Sequence, residues 1–281
     1  MERLKWAVAA FECWRTPSEV RAALAREASI DEAWSELDVA ARNRVQTVFD
    51  RLRRAGVGAV ATGDPHYPSR LAATEGAPPV LFWFGNVELF ETPAVGMCGS
   101  RQASDIALQA ARTCGREVAG HGLTVVSGYA RGVDMETHIG ALEAGGRTIV
   151  VLAEGMLHFR VKKVLRETGV DSERILVLSQ FPPGQSWNVG AAMTRNSVIV
   201  ALGRALVVIE ARERGGTLDA GLQALRMHRP LLALDFSAGA PRGNELLFAR
   251  GARRISSVGD LKRVLDAVGD PSEQLVLKSL I

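Results

Sequence analysis

The residues best suited to chemistry in this chain sit in short glycine-rich turns, and their chemistry is anion binding. Gly99-Ser100-Arg101 joins a residue that lets backbone approach a ligand closely to a hydroxyl and a planar guanidinium. Ser127-Gly128-Tyr129-Ala130-Arg131-Gly132-Val133-Asp134 sets glycines around a small residue and an arginine, so several N–H groups can converge on one phosphate. Asp134 is placed to cap the helix that follows, and His138, four residues on, shares its helical face. A proline-rich stretch, Phe181-Pro182-Pro183-Gly184, leads to Arg195-Asn196. Between them Trp187 is a candidate either for base stacking or for the core. Gly215-Gly216-Thr217 places two glycines and a hydroxyl at the start of a helix, again an anion site.

These turns need elements to hold them. Short apolar runs read as buried strands over Val80–Phe84, Ala94–Cys98, Leu123–Ser127, Thr148–Ala153, Ile175–Ser179, Ala205–Ile209 and Pro230–Leu234. Helical patterns separate most of them, at Ser104–Ala119, Asp134–Ala144, Val161–Thr168, Val189–Leu202 and Thr217–Met227, and a last helix is expected over Asp260–Val268. Continuous apolar strands alternating with helices specify an α/β fold with a mainly parallel, doubly wound, Rossmann-like sheet. In such a sheet ligands bind beyond the carboxyl ends of the strands, where all four turns fall. Residues 1–70 differ: no glycine precedes Gly56, and Pro17–Arg26 and Asp31–Arg54 carry apolar residues at helical spacing. They read as a small helical N-terminal domain, with 71–270 as the Rossmann-like domain and 271–281 as a C-terminal tail.

Composition narrows the function. The chain has 281 residues, 34 Lys+Arg, 31 Asp+Glu and 47% hydrophobic residues. That is a globular protein with material for a large core. The net charge of +3 makes any nucleic-acid site a local patch. Cys13, Cys98 and Cys114 lack the number for a disulfide framework and the spacing for zinc. No apolar signal core opens the sequence and no run reaches the length of a membrane helix, so a cytoplasmic location without membrane contact is expected. No P-loop, GxSxG, HExxH or GxGxxG occurs. The carboxylates Glu154, Asp134, Glu210 and Asp219 lack the paired spacing of acid–base catalysis. No catalytic residue, metal or cofactor is expected.

The turns, in this order, resemble the DNA-processing protein A family, also called Smf. The matching pieces are Gly99-Ser100-Arg101, Ser127 to Asp134 with His138 and Gly140-Ala141-Leu142, Phe181 to Gly184, Arg195-Asn196, and Val207 to Ala211 followed by Gly216-Thr217-Leu218. Tyr67-Pro68 and Pro78-Pro79-Val80-Leu81-Phe82 resemble the family's lead-in to its sheet. The resemblance implies a single-stranded DNA-binding protein with an extended Rossmann fold, not an enzyme. It implies a homodimer that protects incoming DNA and hands it to the RecA recombinase in natural transformation or recombination. By position, Arg101, Ser127, Gly128, Gly132, Arg195 and Gly216 would line the strand-binding pocket, with Arg101 first and Arg195 second as phosphate contacts. The chain departs from the family at Ala192-Met193, where Phe-Pro is usual, at Ser197, where a second Arg is usual, and at Leu152-Ala153-Glu154-Gly155, which brings a carboxylate toward the pocket. The alternative is a nucleotide-sensing or nucleotide-hydrolysing protein on the same scaffold, resembling cytokinin-activating phosphoribohydrolases at Gly215-Gly216-Thr217 but with Ala220 where they carry Glu. A third reading is an adaptor that uses residues 1–70 as its contact surface.

Overall fold

The computed structural model describes residues 2–168, 171–236 and 239–269; the expected tail lies outside the described residues. The glycine-free opening folds as α1 (Glu2–Cys13), α2 (Pro17–Ala25), α3 (Ile30–Glu36) and α4 (Val39–Arg54). The stretch Asp31–Arg54, expected as one helical pattern, is two helices. Leu37 turns extended and Asp38 caps α4 by accepting from the N–H of Ala41 at 2.7 Å. Next come β1 (Gly58–Ala61), α5 (Ser69–Ala72) and β2 (Val80–Gly85). β1 pairs antiparallel with β2, so this part of residues 1–70 is a strand of the sheet and not helix. Its four small residues carry too little periodicity to announce a strand.

The rest alternates. β3 (Ala94–Cys98), α6 (Asp105–Gly120), β4 (Thr124–Gly128), α7 (Val133–Glu143) and β5 (Arg147–Val151) come first. They are followed by α8 (Lys163–Glu167), β6 (Ile175–Ser179), α9 (Val189–Leu202), β7 (Leu206–Val208) and α10 (Gly216–Arg226). β8 (Leu231–Leu234), α11 (Arg242–Phe248), β9 (Arg253–Ile255) and α12 (Val258–Gly269) close the described chain. Nine strands make one sheet in the order β1-β2-β6-β5-β4-β3-β7-β8-β9. Every pairing from β6 across to β9 is parallel, while β2 joins both β6 and β1 antiparallel. This is the expected doubly wound α/β fold, with β1, α5, α11 and β9 added to what the sequence patterns announce.

Strand alternation divides the core. Val126, Ile149, Val151, Leu176, Leu178, Leu206 and Val208 point to one face, under α9, α10 and α11. Val95, Met97, Val125, Val207 and Ile209 point to the other, under α6 and α12. On that second face Phe82, Val150 and Val177 meet α7 and the N-terminal helices. Phe82 is fully buried, its ring centroid 6.1 Å from that of Phe11 on α1, a burial worth about 2–3 kcal/mol. The helical opening is thus packed directly on the sheet. No helix among the described residues is long and apolar enough to cross a membrane.

The path of the chain creates the site. From β3 the strands build outward through β4 and β5 to β6; the chain then returns and lays β7 on the other side of β3. The turns after β3 and β7 therefore diverge over a crevice at the carboxyl edge of the sheet.

Candidate nucleic-acid interface

A cleft of about 540 Å³ occupies that crevice. It brings together four segments far apart in sequence: Gly99–Gln102 after β3, Ala130, Arg131 and Asp134 around the start of α7, the first turns of α9, and Arg212, Arg214, Gly215, Gly216 and Thr217 leading into α10. The turns interlock. The N–H of Ser100 donates to the Glu210 carbonyl at 2.9 Å, and that of Val133 to the Ser100 carbonyl at 3.3 Å. Gly132 holds φ +89°, and a Cβ there would run into the Ser100 carbonyl. Glu210 accepts from the backbone N–H and hydroxyl of Ser104 at 3.1 and 2.7 Å, and Ser104 caps α6. Its carboxylate thus locks the two diverging turns together.

Beneath the cleft lies a buried ion pair. Arg195 on α9 and Asp134 on α7 are each 5% exposed, with Nη2 3.7 Å from Oδ2. Arg195 Nη1 also donates to the Val151 carbonyl at 2.8 Å, and Asp134 Oδ2 accepts from the N–H of Ala130 at 3.3 Å. Burial pushes the Asp134 carboxyl above its ordinary range, against the pull of the Arg195 charge. Burial likewise lowers Arg195, which Asp134 opposes. A Cβ on Gly128 would collide with both side chains, so glycine is needed for the pair to close. Next to it His138 is fully buried, its Nε2 2.7 Å from the Gly128 carbonyl and its Nδ1 2.6 Å from Thr148 Oγ1. A carbonyl can only accept, so Nε2 carries the proton. Burial pulls this imidazole down to about 4.

The rim is cationic. Arg101, Arg131, Arg212 and Arg214 are all exposed there. Two helices start at it with no side-chain cap: α7 behind Gly132 and α10 behind Gly215, whose φ is +114°. Their positive dipole ends add to the guanidiniums, although the first N–H of α7, on Val133, is held by the Ser100 carbonyl. Asn196 holds the start of α10 by donating from Nδ2 to the Gly216 carbonyl at 3.0 Å. Trp187 stands at the mouth, 45% exposed, with the Arg101 guanidinium carbon 4.9 Å from its ring centroid.

Apart from Trp187, which packs against Arg101 and is not among the residues lining the cleft, the sequence-predicted residues fall into two groups. Gly99, Ser100, Arg101, Arg131, Asp134, Arg195, Asn196, Gly215, Gly216 and Thr217 line the cleft. Ser127, Gly128 and Gly132 lie behind it; the Ser127 hydroxyl is buried and donates to the Met97 carbonyl at 2.8 Å. Asp134 does not cap α7, because the positive φ of Gly132 makes that glycine the cap and places Asp134 in the first turn. His138 is a satisfied buried histidine. Glu154 stays off the lining; its carbonyl accepts from the Ser179 hydroxyl at 2.7 Å.

Sequence reasoning missed Arg212 and Arg214 as rim cations, although both precede the Gly-Gly pair it singled out. It also missed Asn244. This fully buried amide donates to the Ile209 and Leu234 carbonyls at 2.9 and 2.8 Å and accepts from the N–H of Ala211 at 2.8 Å. It ties the ends of β7 and β8 below the Arg212–Gly215 turn. No pattern precedes it beyond Pro241 and the small Gly243.

Known proteins resemble this chain in sequence and fold. The chain is 33% identical over 202 residues to DNA processing protein DprA of Streptococcus pneumoniae, covering 70% of this chain and 71% of the relative. It is 28% identical over 235 residues to DNA processing protein DprA of Bacillus subtilis, covering 79% and 78%. The solved DprA of Streptococcus pneumoniae matches with a TM-score of 0.71 at 29% identity, over 83% of this chain and 80% of that one. The DprA of Helicobacter pylori has the same fold, with a TM-score of 0.65 at 24% identity over 74% and 95%. The family model for DNA recombination-mediator protein A runs from residue 58 to 266, beginning at β1, the strand that completes the sheet, and spanning every turn of the cleft; the chain belongs to that family.

Proposed function

We propose that this protein binds single-stranded DNA in the cleft between the β3 and β7 turns. The observation that carries this reading is the ring of four exposed guanidiniums around two uncapped helix N-termini. Arg101, Arg131, Arg212 and Arg214 contact phosphates, with the N–H groups of Gly215, Gly216 and Thr217 beside them. Arg195 lies at the floor of the cleft, held by the Val151 carbonyl and the Asp134 charge, with its Nε hydrogen-bonded to no group among the described residues, and it supports the phosphate contacts from there. The DprA of Helicobacter pylori, which shares the fold, is described by its single-stranded DNA binding mode, and this supports the same ligand here. The role that follows is protection of single strands and their delivery to the RecA recombinase in the cytoplasm, by a homodimer that binds DNA without transforming it.

Binding of an oligo-dT strand, followed by fluorescence anisotropy over a salt series, tests this. Four phosphate contacts give a slope of log K against log salt near −3, at about −0.7 per contact. Arg101→Ala and Arg214→Ala each weaken binding and flatten the slope by about 0.7. Absence of binding at low salt, or equal binding by both variants, overturns the reading. Hydrolysis of a nucleotide is not favoured: Ala220, where the phosphoribohydrolases carry a glutamate, lies on α10 and is packed into the core.

A further inference from the structure

The opposite edge of the sheet carries a second group of cations. β3, β7 and β8 lie side by side and parallel, so the turns that enter them meet at their amino ends. The N–H of Arg204 donates there to the Ala94 carbonyl at 2.8 Å, and that of Leu206 to the Pro230 carbonyl at 2.9 Å. Arg204 leads into β7 and Arg229 into β8, and Arg70 reaches in from α5. Arg70 Nη2 donates to the Thr92 carbonyl, just before β3, at 2.5 Å. Arg229 Nη2 donates to the Ala201 carbonyl at 3.3 Å, and Arg204 Nη1 to the Val268 carbonyl at 2.9 Å. β4 and β5 are five residues long, so this edge lies roughly 17 Å from the cleft.

These guanidiniums are half-buried and of one sign. Burial pulls Arg70 below its ordinary range, and the charges of Arg204 and Arg229 pull it further while Glu91 opposes them. Burial lowers Arg229 too. Glu91 forms no ion pair with Arg70; it is exposed and accepts from the Ser69 hydroxyl at 3.4 Å. Neither Arg70 nor Arg229 meets a carboxylate among the described residues, and each leaves Nε without a hydrogen bond there. The carboxyl end of α9, at Ala201, offsets only about half a charge. Elsewhere paired guanidiniums are answered by a carboxylate, as Glu143 bridges Arg112 and Arg116. A tetrahedral oxyanion would do the same here, accepting from two forks and cancelling their repulsion.

We propose that Arg70 and Arg229, beside Arg204, form a second phosphate-binding site at the amino edge of the sheet, separate from the cleft. Its phosphate belongs either to a small phosphorylated ligand or to the backbone of a strand that wraps from one edge to the other.

Calorimetric titration of pyrophosphate into the full chain tests this. Arg70→Gln with Arg229→Gln is expected to weaken the amino-edge site about tenfold or more, the loss of charged hydrogen bonds. Arg70→Lys with Arg229→Lys, which keeps the charge, retains part of the binding. Arg101→Ala with Arg214→Ala weakens the cleft and leaves the amino-edge site intact. In the wild type, pyrophosphate shifts the Nε–H NMR signals of Arg70 and Arg229, a readout that needs no glutamine variant to fold. A strand long enough to reach both edges separates the two sources. If the backbone is the ligand, the glutamine pair lowers the salt slope of oligo-dT binding by about 1.4. If a small ligand is, that slope is unchanged while pyrophosphate binding is still lost. Unmoved Nε–H signals, or pyrophosphate bound as tightly by the glutamine pair as by the wild type, overturns the site and leaves the reading of the cleft untouched.

Discussion

Asp134 and Arg195 are charges that water does not reach, so each depends on the other. Removing one leaves an uncompensated buried charge, and Arg195→Ala is expected to cost about 3–5 kcal/mol in urea unfolding. The double variant Asp134→Leu with Arg195→Met is expected to lose less than the sum of the single changes, and a double-mutant cycle measures the difference. His138 adds a pH dependence of definite sign. Its folded value near 4 lies below the ordinary 6.5, so its contribution is complete above pH 6.5 and is lost as pH falls through 4. The stability gap between wild type and His138→Gln is therefore expected to shrink by about 3 kcal/mol between pH 7 and pH 4. Asp134, raised by burial, acts in the opposite sense, stabilising toward low pH. At this scale the sequence names the residues better than their parts. Arg195 is expected from the resemblance as a phosphate ligand, and the fold adds what its position in the sequence does not show: it is 5% exposed at the floor of the cleft and paired with Asp134.

Turns are only as firm as the elements beneath them, and Asn244 is the clearest case. Asn244→Ala strands one N–H and two carbonyls in the core, and a loss of about 2–4 kcal/mol is expected in thermal or urea unfolding. Because the amide ties the end of β7, weaker oligo-dT binding should accompany the loss even though Asn244 does not line the cleft. Legibility follows the same physics. β3, β6 and α9 were readable to the residue, since long apolar runs and a strong helical span with an Asn188 cap leave little choice. β1, with four small residues, and β9, with two arginines in three, carry no run to read; pairing with a neighbour makes them strands. The cleft-lining turns were legible because glycine at a strand end is a physical demand. Asn244 was not, because nothing local requires a buried amide.

Across the whole molecule, the helical opening and the sheet share one apolar cluster in which Phe11, Val45 and Leu52 meet Phe82, Ile139 and Val150. A chain beginning at Gly56 would expose that face, and it is expected to melt earlier and less cooperatively than the full protein, as calorimetry would record; an unchanged transition would make residues 2–55 an independent unit. The placement of β7 beside β3 has a further consequence, for folding kinetics. Gly96 pairs with Leu206, partners roughly 110 residues apart, and the cleft does not exist until that pairing closes. Partly folded chains, with β3 to β6 assembled and β7 still free, would carry the first two turns but no receptor. Oligo-dT added during refolding is therefore expected to raise the final stability without hastening phases that precede this pairing, as stopped-flow refolding with and without the strand would record.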